Sequence, residues 1–228
     1  MRAPNSLFVP SLPLAAGCWA PLLVLSCIAC GGNGSNSSEP RVDEGGDLLV
    51  DDLEDGDDEF TLRGVQGEWF TYSDETAAVT PPSHMGVGDT PGELHVTGDG
   101  FSEWGVAVAA YFQYSDLSGF AGVKVRIKGS GQVRFELSTA DTLPLDHDGT
   151  CVTGCYGHYA TLVDLPADYE DVTIRFADLV QPGWATAAEL SLERAGQVDF
   201  LAPGSATAPA TIDLWIDQLS LVPADSGS

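Results

Sequence analysis

Apolar and polar residues alternate with period two along much of the chain. In "VKVRIKG", Val123, Val125 and Ile127 fall on one side, with Lys124, Arg126 and Lys128 on the other. "QVRFELS" repeats the pattern with Val133, Phe135 and Leu137, "DVTIRF" with Val172, Ile174 and Phe176, and "TIDLWIDQLSLV" with Ile212, Leu214 and Ile216. Such runs, rich in β-branched and aromatic residues, are strands with one buried face. "GSG" at 129–131 reads as a hairpin-like turn between the first two. "DLLVDDLE", "GEWFTYS", "GELHVTG" and "WGVAVAAYF" are further strands, and Gly or Pro interrupts every run before a helical period can develop. About ten short strands separated by turn signals predict an all-β chain, a two-sheet antiparallel β-sandwich.

The first part of the chain departs from this pattern. Met1-Arg2 is followed by an apolar run from Leu7 to Ala29, broken by Pro10, Pro13 and Pro21. A short basic start, an apolar stretch and small residues after it form the pattern of a cleaved export leader. "VLSCIACGGNGSNSS" resembles the lipobox of bacterial lipoproteins, whose cysteine is lipidated and becomes the mature N-terminus. Cys27, after Val24-Leu25-Ser26, fits that pattern, and Cys30 is the alternative; Cys18 fits less well. The expected organisation is a leader over 1–26, a Gly/Ser-rich tether over 27–46, the sandwich over 47–223 and a tail over 224–228. The expected location is outside the cytoplasm, lipid-anchored to a bacterial membrane at the outer membrane or cell surface.

Export bears on "GTCVTGCYGHYA" at 149–160. Cys151, Cys155 and His158 have the chemistry of zinc ligands. In an oxidising compartment a cysteine pair persists as a disulfide, and no fourth metal ligand stands nearby except His147 or Asp146. A Cys151–Cys155 disulfide is therefore expected.

Charge removes whole classes of partner. The chain has 34 Asp and Glu against 9 Lys and Arg, a net charge of −25. With Arg2 lost in the leader, the mature chain would carry −26. The charge rules against nucleic acid, whose phosphates need Lys and Arg, and disfavours direct attraction to an anionic membrane surface. Cations and neutral ligands such as sugars remain compatible.

The order "DDLEDGDDE", "WFTYSDE", "GELHVTGDGFSEWGVAVA", "VRFELSTADT", "GTCVTGCYGHYA", "VTIRFADLVQPGW" and "IDLWIDQLSLV" resembles bacterial carbohydrate-binding modules of the galactose-binding-like jelly-roll superfamily. The resemblance runs from about Leu48 to Val222. It implies a jelly roll, binding of polysaccharide or oligosaccharide without catalysis, and often a structural calcium ion; separately, a monomer is expected. Asp52 and Glu54, two apart on a strand, leave the same face. In the resembled modules such acids meet an aspartate of the last strand, here Asp217, with Asp51 and Asp55 beside them. One departure is Gly157, where relatives carry a polar residue before the histidine.

A sugar offers C–H faces to aromatic rings and hydroxyls to planar polar groups. Trp215, alternating among core residues, is expected to plug the sandwich. Trp184, in the loop "QPGWA", is the expected stacking ring. Gln181, His158, Tyr159, Asp141 and Arg134 are expected to supply hydrogen bonds, with Trp104 and Tyr72 as further ring surfaces. Catalysis is not expected: the chain has no Gly-x-Ser-x-Gly, His-Glu-x-x-His or phosphate-loop motif, and no framed carboxylate pair. A small glycoside hydrolase and a structural or adhesive lipoprotein are the alternatives.

Overall fold

The computed structural model describes residues 41–42, 46–82 and 92–224. The leader, its candidate lipidation residues Cys27 and Cys30, and most of the tether lie outside these residues. Twelve strands are described: β1 (Leu48–Asp51), β2 (Glu59–Leu62), β3 (Val65–Ser73), β4 (Val79–Thr80), β5 (Leu94–Phe101), β6 (Gly105–Ser115), β7 (Phe120–Gly129), β8 (Gln132–Thr139), β9 (Tyr159–Asp164), β10 (Glu170–Arg175), β11 (Ala195–Pro203) and β12 (Ala210–Pro223). They form two antiparallel sheets. One has the order β10-β7-β12-β5-β4, with β1 also on β12, and the other β2-β3-β6-β11-β8-β9. The predicted β-sandwich is the observed fold.

The alternating apolar residues line the space between the sheets. Val123, Val125, Ile127, Leu214 and Ile216 from one sheet meet Val133, Phe135, Leu137, Val198 and Phe200 from the other. The alternation in β12 changes phase once. After Ile216 the inward residues are Leu219 and Leu221, because a bulge between Ile216 and Gln218 leaves Asp217 outside the regular pairing. An extra residue of this kind lets one long strand keep apolar side chains inward along its whole length. β12 can therefore pair with β5 over its first half and with β1 over its second.

Two sequence expectations need correction. "GSG" does not close a hairpin: β7 and β8 belong to different sheets. The turn carries the chain from one sheet to the other, held by Ser130 N–H to Asp213 O and Leu165 N–H to Gly131 O. Both strands still turn their apolar faces to one core, and alternation alone cannot distinguish a crossover from a hairpin. Trp215 does not plug the core. Its neighbours Leu214 and Ile216 point inward, so the same alternation sends Trp215 out. There His95 stacks on it at 3.5 Å and 11°, and Lys128 Nζ lies 4.3 Å from its centroid. The buried tryptophan is Trp69 on β3, edge-on to Phe60.

Trp69 also ties the start of the domain to its core. Its Nε1–H donates to Asp51 Oδ2 at 2.8 Å, while Asp51 Oδ1 accepts the Leu53 N–H at 2.9 Å. Burial raises the Asp51 carboxyl above its ordinary range although both bonds oppose this. Removing the carboxyl would leave two buried donors unsatisfied. Asp51→Ala should therefore cost about 3 kcal/mol in denaturant unfolding. A loss below about 1 kcal/mol would mean that water replaces the carboxylate.

Candidate functional site

The outward face of the second sheet is set by strand register. Tyr72, Ala107, Leu201, Arg134 and Leu162 stand side by side on β3, β6, β11, β8 and β9. The next row along the strands is Phe70, Ala109, Asp199, Glu136 and Ala160. Beyond Ala160, Val180 adds one more bridge at the edge. Aromatic rings thus occupy one side of the face and planar polar groups the centre, with two alanines between them. Ala107 and Ala109 are fully covered, so larger neighbours close over them.

Tyr72 lies 5.8 Å from Phe70 and 5.5 Å from Trp104, centroid to centroid. Trp104 sits on the turn between β5 and β6 and is 44% exposed. Asp74 fixes that turn, its Oδ2 accepting the Glu103 N–H (2.8 Å) and the Gly105 N–H (3.0 Å). Gly105 is required there: its φ is +119°, and an added Cβ would fall 2.1 Å from Ala202 O.

The polar half holds two hydrogen-bonded sets side by side. Tyr72 Oη–H and Gln197 Nε2–H both donate to Asp199 Oδ1, at 2.8 and 2.7 Å. Arg134 Nε–H donates to Glu136 Oε1 at 2.7 Å. Burial and the neighbouring Glu136 push the Asp199 carboxyl up to about 8. Burial raises Glu136 against the pull of Arg134. Burial and Asp199 raise the Tyr72 phenol well above its ordinary value, so it stays a donor.

Of the residues expected to bind sugar, Arg134, Tyr72 and Trp104 gather on this face. The others belong to a pair of linked loops at 141–158 and 181–188, or, for Tyr159, to the start of β9 beside them. Cys151 and Cys155 form the expected disulfide, with Cα atoms 5.7 Å apart, so these thiols are not zinc ligands. Thr186 N–H donates to Gly154 O, and Thr186 Oγ1–H donates to Thr153 O. Gln181 is fully engaged: its Nε2 donates to Gly157 O and Thr186 O, and its Oε1 accepts from Ala188 N–H, all at 3.0 Å. Tyr159 is partly buried against the core and donates to Ala188 O. His158 is buried, with Nδ1 2.8 Å from Thr142 Oγ1. The polar groups of these three hold the loops together. Asp141 is exposed and accepts from Thr150 Oγ1. Trp184, 67% exposed, rides the turn closed by Ala185 N–H to Pro182 O. Gly157 has a steric reason: a Cβ there would lie 2.0 Å from that of Ala185, so a side chain would push the two loops apart.

The carboxylates offered for calcium do not form a ligand shell. Asp52 pairs with Arg41 at 3.2 Å, Asp217 with Arg126 at 2.8 Å, and Asp51 with Trp69. Glu54 lies beside Gly92. Among the described residues no three His, Cys, Asp or Glu side chains gather to hold a metal ion. As arranged, these residues do not fit a carboxylate-rich calcium site.

Sequence reasoning missed Asp199, Gln197, Glu136 and Phe70. Asp199 and Gln197 lie on β11, whose "QVDFLA" alternates Val198, Phe200 and Ala202 with polar residues just as "QVRFELS" does. That signal would have exposed them.

No family model matches the chain. Endoglucanase 3 of Fibrobacter succinogenes (strain ATCC 19169 / S85) is 26% identical to it, over 78% of this chain and 28% of that protein. The chain thus spans little more than a quarter of that relative. A family 11 carbohydrate-binding module from Clostridium thermocellum, solved with a β-1,3-1,4-mixed-linked tetrasaccharide, superposes with a TM-score of 0.51 at 18% identity. It covers 77% of this chain and 95% of the module. The family 11 module of the cellulosomal cellulase Lic26A-Cel5E of Clostridium thermocellum gives 0.51 at 17% identity, over 78% and 95%.

Burial and the Arg134 charge lower the His158 pKa to about 4. The unfolded chain therefore binds this proton more readily, and stability is lost as pH falls from about 6.5 to about 4. Imidazole NMR should find His158 neutral at pH 5, and His158→Gln should flatten this part of the stability profile. A His158 titrating near 6.5 would contradict the buried placement. In architecture, the chain is a two-sheet antiparallel β-sandwich like those of family 11 carbohydrate-binding modules.

Proposed function

We propose that the chain binds a neutral polysaccharide, without catalysis, on the outward face of the β2-β3-β6-β11-β8-β9 sheet. The observation that carries this reading is the row from Trp104 and Tyr72, past Ala107 and Leu201, to Arg134, with Asp199, Gln197 and Glu136 beside it. Rings meet sugar C–H faces, and fixed planar groups meet hydroxyls. The opposite face is a poorer platform. Trp215 has His95 on the β5 side and Lys128 on the β7 side, so both ring faces are taken. Lys128 is itself 4.3 Å from the Tyr169 ring centroid.

The solved relative with a bound mixed-linked tetrasaccharide supports a β-glucan as the first ligand to try. The net charge and the buried acids favour uncharged over acidic glycans, because a uronate would meet like charge. Asp199 and Glu136 are buried rather than facing each other across an open cleft, which weighs against a hydrolase. Export and anchoring through Cys27 or Cys30 belong to the same proposal. Mass analysis of the mature N-terminus in wild type and Cys27→Ala tests them.

Titration with mixed-linked β-glucan, followed by tryptophan fluorescence, should saturate. Trp104→Ala should weaken binding about tenfold or more, the scale of losing one buried anchor. Trp184→Ala distinguishes the sheet from the loops: a larger loss than from Trp104→Ala would move the site to the loop pair. Silence across a panel of neutral glycans would favour the adhesive reading. A calcium ion on Asp52, Glu54 and Asp217 would have to displace Arg41 and Arg126. The melting temperature should therefore be the same in micromolar calcium and in chelator, and a rise of several degrees would restore a structural ion.

A further inference from the structure

Asp199 and Glu136 stand directly opposite each other on β11 and β8, point to the same face, and are both buried. Asp199 Oδ1 accepts two hydrogen bonds, but Oδ2 is buried and finds no hydrogen-bond partner among the described residues. The groups packed around it come from every neighbouring strand. Tyr72 reaches it from β3, Glu136 with Arg134 from β8, and Gln197 from its own strand. Across on β6 stands Ala109, which carries no charge. One row away are Glu68 and Tyr111, and His158, which the Arg134 charge reaches, is held neutral. The Arg134 guanidinium is engaged with Glu136, while Asp199 Oδ1 takes Tyr72 and Gln197.

A buried carboxylate oxygen without a donor is unfavourable, and two buried carboxylates side by side are more so. A proton removes both difficulties: it neutralises one acid and turns Oδ2 into a donor. Building on the glycan-face reading, we propose that Asp199 and Glu136 hold one proton between them, and that its release switches the glycan face off at alkaline pH. With the proton, the face carries one negative charge opposite Arg134. Without it, two carboxylates repel within a region that water scarcely reaches, and they relax by turning outward to where a sugar ring would lie. A bound glycan excludes still more water and so favours the protonated pair. Affinity therefore falls as pH rises, by at most tenfold per pH unit for one proton.

The direction for stability is the same. The Asp199 carboxyl is raised in the folded state to about 8, from 3.8. Its contribution is complete at low pH and is lost as pH rises through about 8.

Two readouts on the full chain separate the layers of this proposal. Carboxyl-carbon NMR of the unliganded protein should show a group of the pair titrating between about pH 7 and 9. Titration of both groups below about pH 5.5 would overturn proton sharing whether or not any sugar binds. Calorimetry with mixed-linked β-glucan should show affinity falling about tenfold from pH 7 to 9.5, and Asp199→Asn should abolish that slope. If the pair titrates as expected but wild-type affinity is flat, the switch is overturned. If no glycan binds at any pH, the glycan reading falls and the switch with it, while the NMR result still decides the shared proton. Should Asp199→Asn fail to fold, Glu136→Gln removes the facing charge and should move the remaining titration down. An unmoved titration would rule out the pairing.

Discussion

Each strand of a two-sheet sandwich serves two surfaces, because successive side chains leave opposite faces of the pleat. In the β2-β3-β6-β11-β8-β9 sheet this constraint places the polar groups of the outward face. Val198 and Phe200 must point inward to close the core, so Gln197, Asp199 and Leu201 must point out. The same holds for Arg134 and Glu136 beside Val133, Phe135 and Leu137. Antiparallel register then sets Glu136 opposite Asp199, and Arg134 opposite Leu201. A one-residue slip in either strand would send the acids into the core. The core is thus what fixes the polar network outside it.

That network is unusual in its burial. Outward-facing carboxylates on an open sheet ordinarily meet water, yet Asp199 and Glu136 are covered. The cover comes from the rings and stems around them: Tyr72 from β3, with Trp104 over it, and Arg134 along β8. Tyr72 therefore has two parts to play, a ring beside Trp104 and a hydroxyl on Asp199. Its loss would disturb stacking and polar order together, which makes Trp104 the cleaner probe of stacking.

Much of the fold was legible in the sequence because period two is a strong local signal. β5, β6, β7, β8, β10 and β12 were all read from it, and the disulfide followed from compartment and spacing. The failures have particular causes. "GSG" joins strands of different sheets because a glycine turn specifies a reversal and not the partner of the next strand. Trp215 was expected inside because it lies among core residues, although the alternation that placed Leu214 and Ile216 inward already sent it out. Asp199 went unseen because β11 was not recognised as a strand, and the Glu136–Asp199 apposition depends on register between segments some sixty residues apart, which no local pattern carries. Sequence also does not show that a polar group is already hydrogen-bonded, as His158, Gln181 and Tyr159 are.

The pairing of β1 with β12 sets a path for mechanical load. The first and last strands of the domain lie side by side, with Leu48 opposite Leu221, Leu49 opposite Ser220 and Asp51 opposite Leu219. Tension arriving through the segment ahead of Leu48 meets this short ladder first, supported by the Lys124–Asp47 ion pair. Behind it stands the Asp51–Trp69 hydrogen bond, anchored in the core. A pull that frayed β1 would thus be stopped at a buried clasp before it reached β3, the strand that carries Phe70 and Tyr72. The sheet face that carries Tyr72 and Arg134 would keep its shape while the β1 edge gave way.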